Sequence, residues 1–186
     1  MKNLLVATLL FFSLFSSSKI FAQVFKSNSG EISFFSKTPM ENIDAHNTSV
    51  NSFVNTTKKE IVFMVPVRSF EFKKKLMQEH FNENYMESDQ FPSASFSGNI
   101  QGDIDFSKPG IYQVTAIGKL KMHGVEKEIT EKGKITVAED HFNIEASFNV
   151  LLKDYQIEIP KIVFQNIAES MEVKLNINYI PYKKDK

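Results

Sequence analysis

The chain has 186 residues, with 22 basic and 22 acidic side chains, no cysteine, no tryptophan and 18 phenylalanines. Its near-neutral, mixed charge leaves no basic footprint for nucleic acid or for electrostatic docking on anionic lipid. The missing cysteine excludes disulfides and a lipid-modified N-terminal cysteine, so the fold must hold by packing alone.

The first 22 residues, MKNLLVATLLFFSLFSSSKIFA, set Lys2 ahead of an uncharged apolar run from Leu4 to Phe15, with a cleavage point after Ala22. This is the pattern of an export signal. The run is too short to span a bilayer, and no later segment approaches the roughly 20 apolar residues that a membrane helix needs. Residues 23–186 are therefore expected to form one exported domain, periplasmic or secreted, with no integral membrane segment. Without Lys2 and Lys19 that part keeps 20 basic against 22 acidic residues, a formal charge of −2.

Most of this domain alternates apolar and polar residues, the signature of strands with one buried face. Short strands are expected at Glu31 to Lys37 and Asn42 to Asn55, followed by one carrying Ile61, Phe63, Val65 and Val67. The stretch FEFKKKLMQEHFNENY breaks the pattern. Phe72, Leu76 and His80 recur every four residues, and Met77 and Phe81 join their stripe, which predicts an amphipathic helix of about three turns. Pro92 ends it and opens a strand with Ala94, Phe96, Gly98 and Ile100 on one face. Tyr112, Val114, Ala116, Gly118, Leu120 and Met122 mark a long strand, and Ile129, Gly133, Ile135 and Val137 mark the next. Two more carry Phe142 to Leu152 and Met171 to Tyr179 at every second position.

That makes about eight strands, and breaks as short as HGVE and ED suit antiparallel hairpins. Closing such a sheet is the one arrangement that removes its edges. The expected fold is all-β: an antiparallel eight-stranded barrel with one amphipathic helix packed on it. The interior of an eight-stranded barrel is either just filled by side chains or holds one small ligand, as in lipocalins. Ala94, Gly98, Ala116, Gly118, Gly133 and Ala146 alternate on the inward faces with Phe96, Tyr112, Leu120, Met122, Phe142 and Phe148. Large and small residues could interlock to fill a solid core, which would suit an interaction module. They could equally leave an apolar hollow, which would select a hydrocarbon because an unpaired polar group is costly there.

Two stretches carry a resemblance. HFNENYMESDQFPSASFSG resembles the segment of YceI-like proteins that runs from a helix-borne His through an acidic stretch to an aromatic-Pro pair and a strand with Phe. The matching positions are His80, Phe91, Pro92, Ala94 and Phe96. GKLKMHGVEKEIT is similar to that family's second signature, at Gly118, Leu120, His123, Gly124, Val125, Lys127 and Ile129. A fainter match is Lys153, Asp154 and Tyr155, ahead of the terminal strand. The resemblance spans roughly Val62 to Ile180. It implies an exported, lipocalin-like antiparallel barrel that binds polyisoprenoid or a similar amphiphilic chain.

The expected partner is thus an isoprenoid or other long-chain lipid, such as a quinone or fatty-acid-like molecule; a homodimer is also compatible with the sequence. Candidate ligand-binding residues are Phe63, Phe72, Leu76, His80 and Phe81 around the helix. On the later strands and the turn after them they are Phe96, Tyr112, Met122, Phe148 and Tyr155. His123 and Gly124 read as a strand reversal, with the histidine holding the loop. His80 reads as a satisfied, partly buried member of the helix stripe or as a polar contact at the barrel mouth; His46 and His141 read as surface residues. No local histidine pair, nucleophile elbow or phosphate loop occurs. No catalytic residue, metal or cofactor is expected, and an enzyme acting on a bound lipid ranks behind the binding and interaction readings.

Overall fold

A strand that is apolar at every second position has one face to bury, and several such strands bury it together by rolling into a tube. The computed structural model describes residues 24–37, 42–159 and 169–183, so the expected leader lies outside the described residues. The strands are β1 (Val24–Ser36), β2 (Ile43–Asn47), β3 (Asn51–Asn55), β4 (Glu60–Pro66) and β5 (Glu71–Phe72). After the helix α1 (Lys75–His80) come β6 (Ser93–Gln101), β7 (Gly110–Met122), β8 (Val125–Val137), β9 (Phe142–Leu151) and β10 (Ser170–Pro181). Neighbours run antiparallel in the order β1-β3-β4-β6-β7-β8-β9-β10, and pairing of β10 with β1 closes an eight-stranded barrel.

The two short extra strands explain themselves through register. β1 begins at Val24, ahead of the expected start at Glu31. Its first residues pair with β3 and its last five with β2. The ribbon expected over Asn42 to Asn55 is therefore one strand broken at 48–50. Asn47, fully buried, holds the break: its Nδ2 donates to the Pro66 carbonyl at 2.8 Å and its Oδ1 accepts the Ser49 N–H. β4 breaks likewise, and β5 rejoins the sheet only by pairing with β2, at Ala45 opposite Phe72. This corner flares away from β6, and the connecting chain sits in the opening.

That chain corrects the sequence reading. Glu71 and Phe72 are strand; α1 spans Lys75–His80 and runs into a π-helical segment, Phe81–Tyr85. Phe81 anchors it. Its ring lies 5.4 Å from Phe34, 5.0 Å from Phe72 and 5.7 Å from Phe70, three contacts worth roughly 0.5–1.5 kcal/mol each beyond simple burial. Leu76, expected in the same stripe, is 61% exposed.

The barrel's two ends differ. Where β3 meets β4 and β8 meets β9, the interior is solid: Phe142 stacks on Tyr179 at 4.8 Å and touches Phe25 and Phe106 at about 5 Å. Ile104 and Phe106, from the connection before β7, plug that end. At the opposite end β7 turns into β8 through two residues, with Met122 opposite Val125. His123 and Gly124 take φ of 50° and 75°, the paired left-handed geometry that matches strand twist in a tight hairpin. The second strand therefore starts at Val125, earlier than the apolar pattern indicated.

Candidate functional site

Going up from the packed end, the inward side chains shrink before they widen. Ala116 on β7, Gly133 on β8 and Ala146 on β9 form a band of small residues. Above it stand Phe63, Phe96, Leu120 and Phe148, and the face of the helical segment with Met77, Phe81 and Tyr85 lies over them. They enclose a cavity of about 660 Å³, within the range of pockets that hold small organic molecules. The lining is almost wholly apolar. Its charged or titrating members are Lys74 and His80 by the helix, Tyr85, and Glu131 and Lys132 on β8.

Two of the inward glycines plainly do not add to the hollow. Gly98 and Gly118 face one another across β6 and β7, and a Cβ on Gly118 would fall 2.3 Å from the Ser97 carbonyl oxygen and 2.9 Å from the Phe96 ring. They let two backbones approach and give Phe96 a flat seat; a Cβ on Gly133 would likewise fall 3.0 Å from the Glu145 carbonyl oxygen, so the room comes from the alanines.

Of the residues proposed from sequence, Phe63, Phe72, Leu76, His80, Phe81, Phe96, Met122 and Phe148 border the cavity. His80 does so from an exposed position rather than a partly buried one. Two lie elsewhere. Tyr112 has the correct face but the wrong height: it pairs with Ile135 at the packed end and its hydroxyl donates to the Lys108 carbonyl. Tyr155, on a short helical turn after β9, is buried behind the wall with Met86, Leu152 and Ile157. Its carbonyl accepts a 3.0 Å hydrogen bond from His123 Nδ1, which ties that turn to the β7–β8 hairpin. His123 is thereby a loop anchor, with Phe91 against its ring at 4.8 Å. His46 and His141 are on the surface, each beside acidic neighbours. The inward residue overlooked in the sequence is Glu131; strict alternation between Ile129 and Gly133 points to it. Among the described residues no group of three or more His, Cys, Asp or Glu is placed to hold a metal. No helix among them is long and apolar enough to cross a membrane.

A closed eight-stranded antiparallel barrel around an apolar hollow defines a lipocalin-like architecture. The family model of the YceI-like domain matches residues 16–179, and the chain belongs to that family. No curated protein matches it significantly in sequence. Among solved structures, it is similar to a polyisoprenoid-binding domain from Saccharophagus degradans implicated in plant cell wall breakdown, with 12% identity and a TM-score of 0.73, covering 85% of this chain and 98% of that one. Burkholderia cenocepacia BcnA follows at 13% identity and a TM-score of 0.68, covering 80% and 95%. The Campylobacter jejuni YCEI protein has 16% identity and a TM-score of 0.52, covering 68% and 74%.

Proposed function

We propose that this protein binds and carries one hydrophobic chain, an isoprenoid or similar long-chain lipid, inside the barrel. The observation that carries this reading is the 660 Å³ apolar hollow, where a solid interior would have left only an outer surface for function. Each methylene-sized group moved into it from water is worth roughly 0.8 kcal/mol, so a five-carbon isoprene unit offers up to about 4 kcal/mol. Two or three units reach micromolar affinity even after the costs of association. The polyisoprenoid-binding domain among the structural neighbours supports the isoprenoid class. The wall is built from Phe63, Phe72, Phe81, Phe96, Met122 and Phe148, with Leu76 and His80 at the rim beside α1. The apolar run from Leu4 to Phe15 supports export to the periplasm or beyond the cell.

Protein purified without denaturation should release a long-chain lipid into organic extract, identified by mass spectrometry at about one per chain. An extract without lipid, from a protein that also takes up no long-chain lipid afterwards, refutes the reading.

A further inference from the structure

The alternation along β8 that turns Ile129, Gly133 and Ile135 inward does the same to Glu131, which enters the cavity wall. Two acids on the outer face of the same sheet have lysine partners: Glu126 lies 2.9 Å from Lys119 and Glu145 lies 3.0 Å from Lys134. Glu131 has no hydrogen-bond or ion-pair partner among the described residues, and burial pushes its carboxyl above the usual range. A half-buried carboxyl among alkyl groups with no donor is an unmet demand that a bound molecule can satisfy.

The wall also parts beside it. Pairing between β8 and β9 runs from Val137 opposite Phe142 to Gly133 opposite Ala146 and stops there. β8 nevertheless continues along β7 to Val125, and β9 along β10 to Leu151. Among the described residues the two strands thus separate two positions from Glu131. The helical turn Leu152–Tyr155 sits against the outer part of this split, held by Lys127 to Asp154 at 2.9 Å and by the His123 bond to Tyr155. Tyr155 is close enough for the Glu131 charge to act on its phenol. Lys132, the nearest cation in sequence, is exposed, and Lys74 and His80 belong to the helix side.

We propose that Glu131 selects the ligand's end group, accepting a hydrogen bond from a chain that ends in an alcohol, amide or amine and disfavouring one that ends in a carboxylate or phosphate. The hydrocarbon then lies among Ala116, Ala146 and Phe148 with its polar end at the β8–β9 split. This selectivity presupposes that the hollow holds a chain, and it names which end of that chain the protein reads. An anionic end would set like charges a few ångströms apart where water screens poorly, whereas a donor would meet an acceptor already in place.

The test displaces Nile red from the purified protein with hexadecanol, hexadecylamine and hexadecanoic acid, which share one chain and differ in their ends. The wild type should favour the alcohol and the amine over the acid by tenfold or more. Glu131→Leu should bind all three within about threefold of one another, and the isosteric Glu131→Gln should lose the preference for the amine while keeping the alcohol. Equal displacement by all three on the wild type, or a preference that survives in both variants, overturns the assignment and leaves the carrier reading standing. Failure of every chain to displace the dye overturns both.

Discussion

The two ends of this barrel use the same strands and the same alternation, yet one is solid and the other hollow. At the solid end Phe142, Tyr179, Ile135 and Ile177 are 0–1% exposed and aromatic rings touch aromatic rings. At the hollow end the band of Ala116, Gly133 and Ala146 leaves the interior unfilled, and the large residues beyond it are only partly buried. The helical segment supplies what the strands lack there, because the flare of β2 and β5 removes one wall and Phe81 stands in for it. Stability is concentrated at one end, which leaves the other free to carry side chains that fit a guest better than they fit one another.

The largest expected effect tests that division directly. Phe142→Ala should cost about 3–5 kcal/mol, the transfer loss plus a new cavity in a packed cluster. Phe148→Ala borders space that already exists and should cost no more than the roughly 1.5–3 kcal/mol transfer value. Paired denaturant melts decide it; equal losses would mean that the hollow end is as tightly packed as the other. Next in size is Gly118→Ala. Its new Cβ meets backbone at 2.3 Å, so about 1–3 kcal/mol should be lost although only one methyl is added. Ala146→Leu adds more atoms but directs them into the cavity. It should shift stability by less than about 1 kcal/mol while weakening chain binding at least tenfold. If Ala146→Leu proves the more damaging of the two, the assignment of free space to the alanine band is wrong.

This contrast also shows what the sequence could reveal. Period-two alternation identified β7, β9 and β10 and the face each turns inward, because those strands are long and their apolar sets clean. It says nothing about height along the barrel axis, which is why Tyr112 stood beside Leu120 and Met122 as a wall residue although it belongs to the packed end. Gly98 and Gly118 looked like space for the same kind of reason: a missing side chain signals either a void or a close approach, and only the 2.3 Å geometry distinguishes them. Phe72 was drawn into a helix by its four-residue spacing to Leu76, yet pairing with Ala45 makes it strand, a tertiary contact absent from any local window. Glu131 is legible by position in the alternation, but a pattern defined by the apolar members of a strand passes over the polar one between them.

Two smaller effects refine the comparison. Tyr179 is fully buried at the solid end; its hydroxyl donates to Ser52 Oγ at 2.6 Å, and that hydroxyl donates onward to the Val62 carbonyl. Tyr179→Phe should cost about 1 kcal/mol, without altering chain binding, because Ser52 keeps its own acceptor. The least effect belongs to His46 on β2, in the flared corner. Its ring lies 2.9 Å from Glu31 and 3.1 Å from Asp44, and the hydrogen bond to Glu31 chiefly raises its pKa above 6.5. A raised folded pKa makes the contribution complete below 6.5 and lost as pH climbs through the folded value. The pair is about half exposed, so water and salt screen it, and the melting temperature should fall by only about 1–2 °C between about pH 5.5 and 8.5. His46→Gln should remove that part of the pH dependence. An undiminished slope in the variant would show that β2 is not held by this charge pair, and that the flared corner depends on Asn47 and the Phe34–Phe72 contact alone.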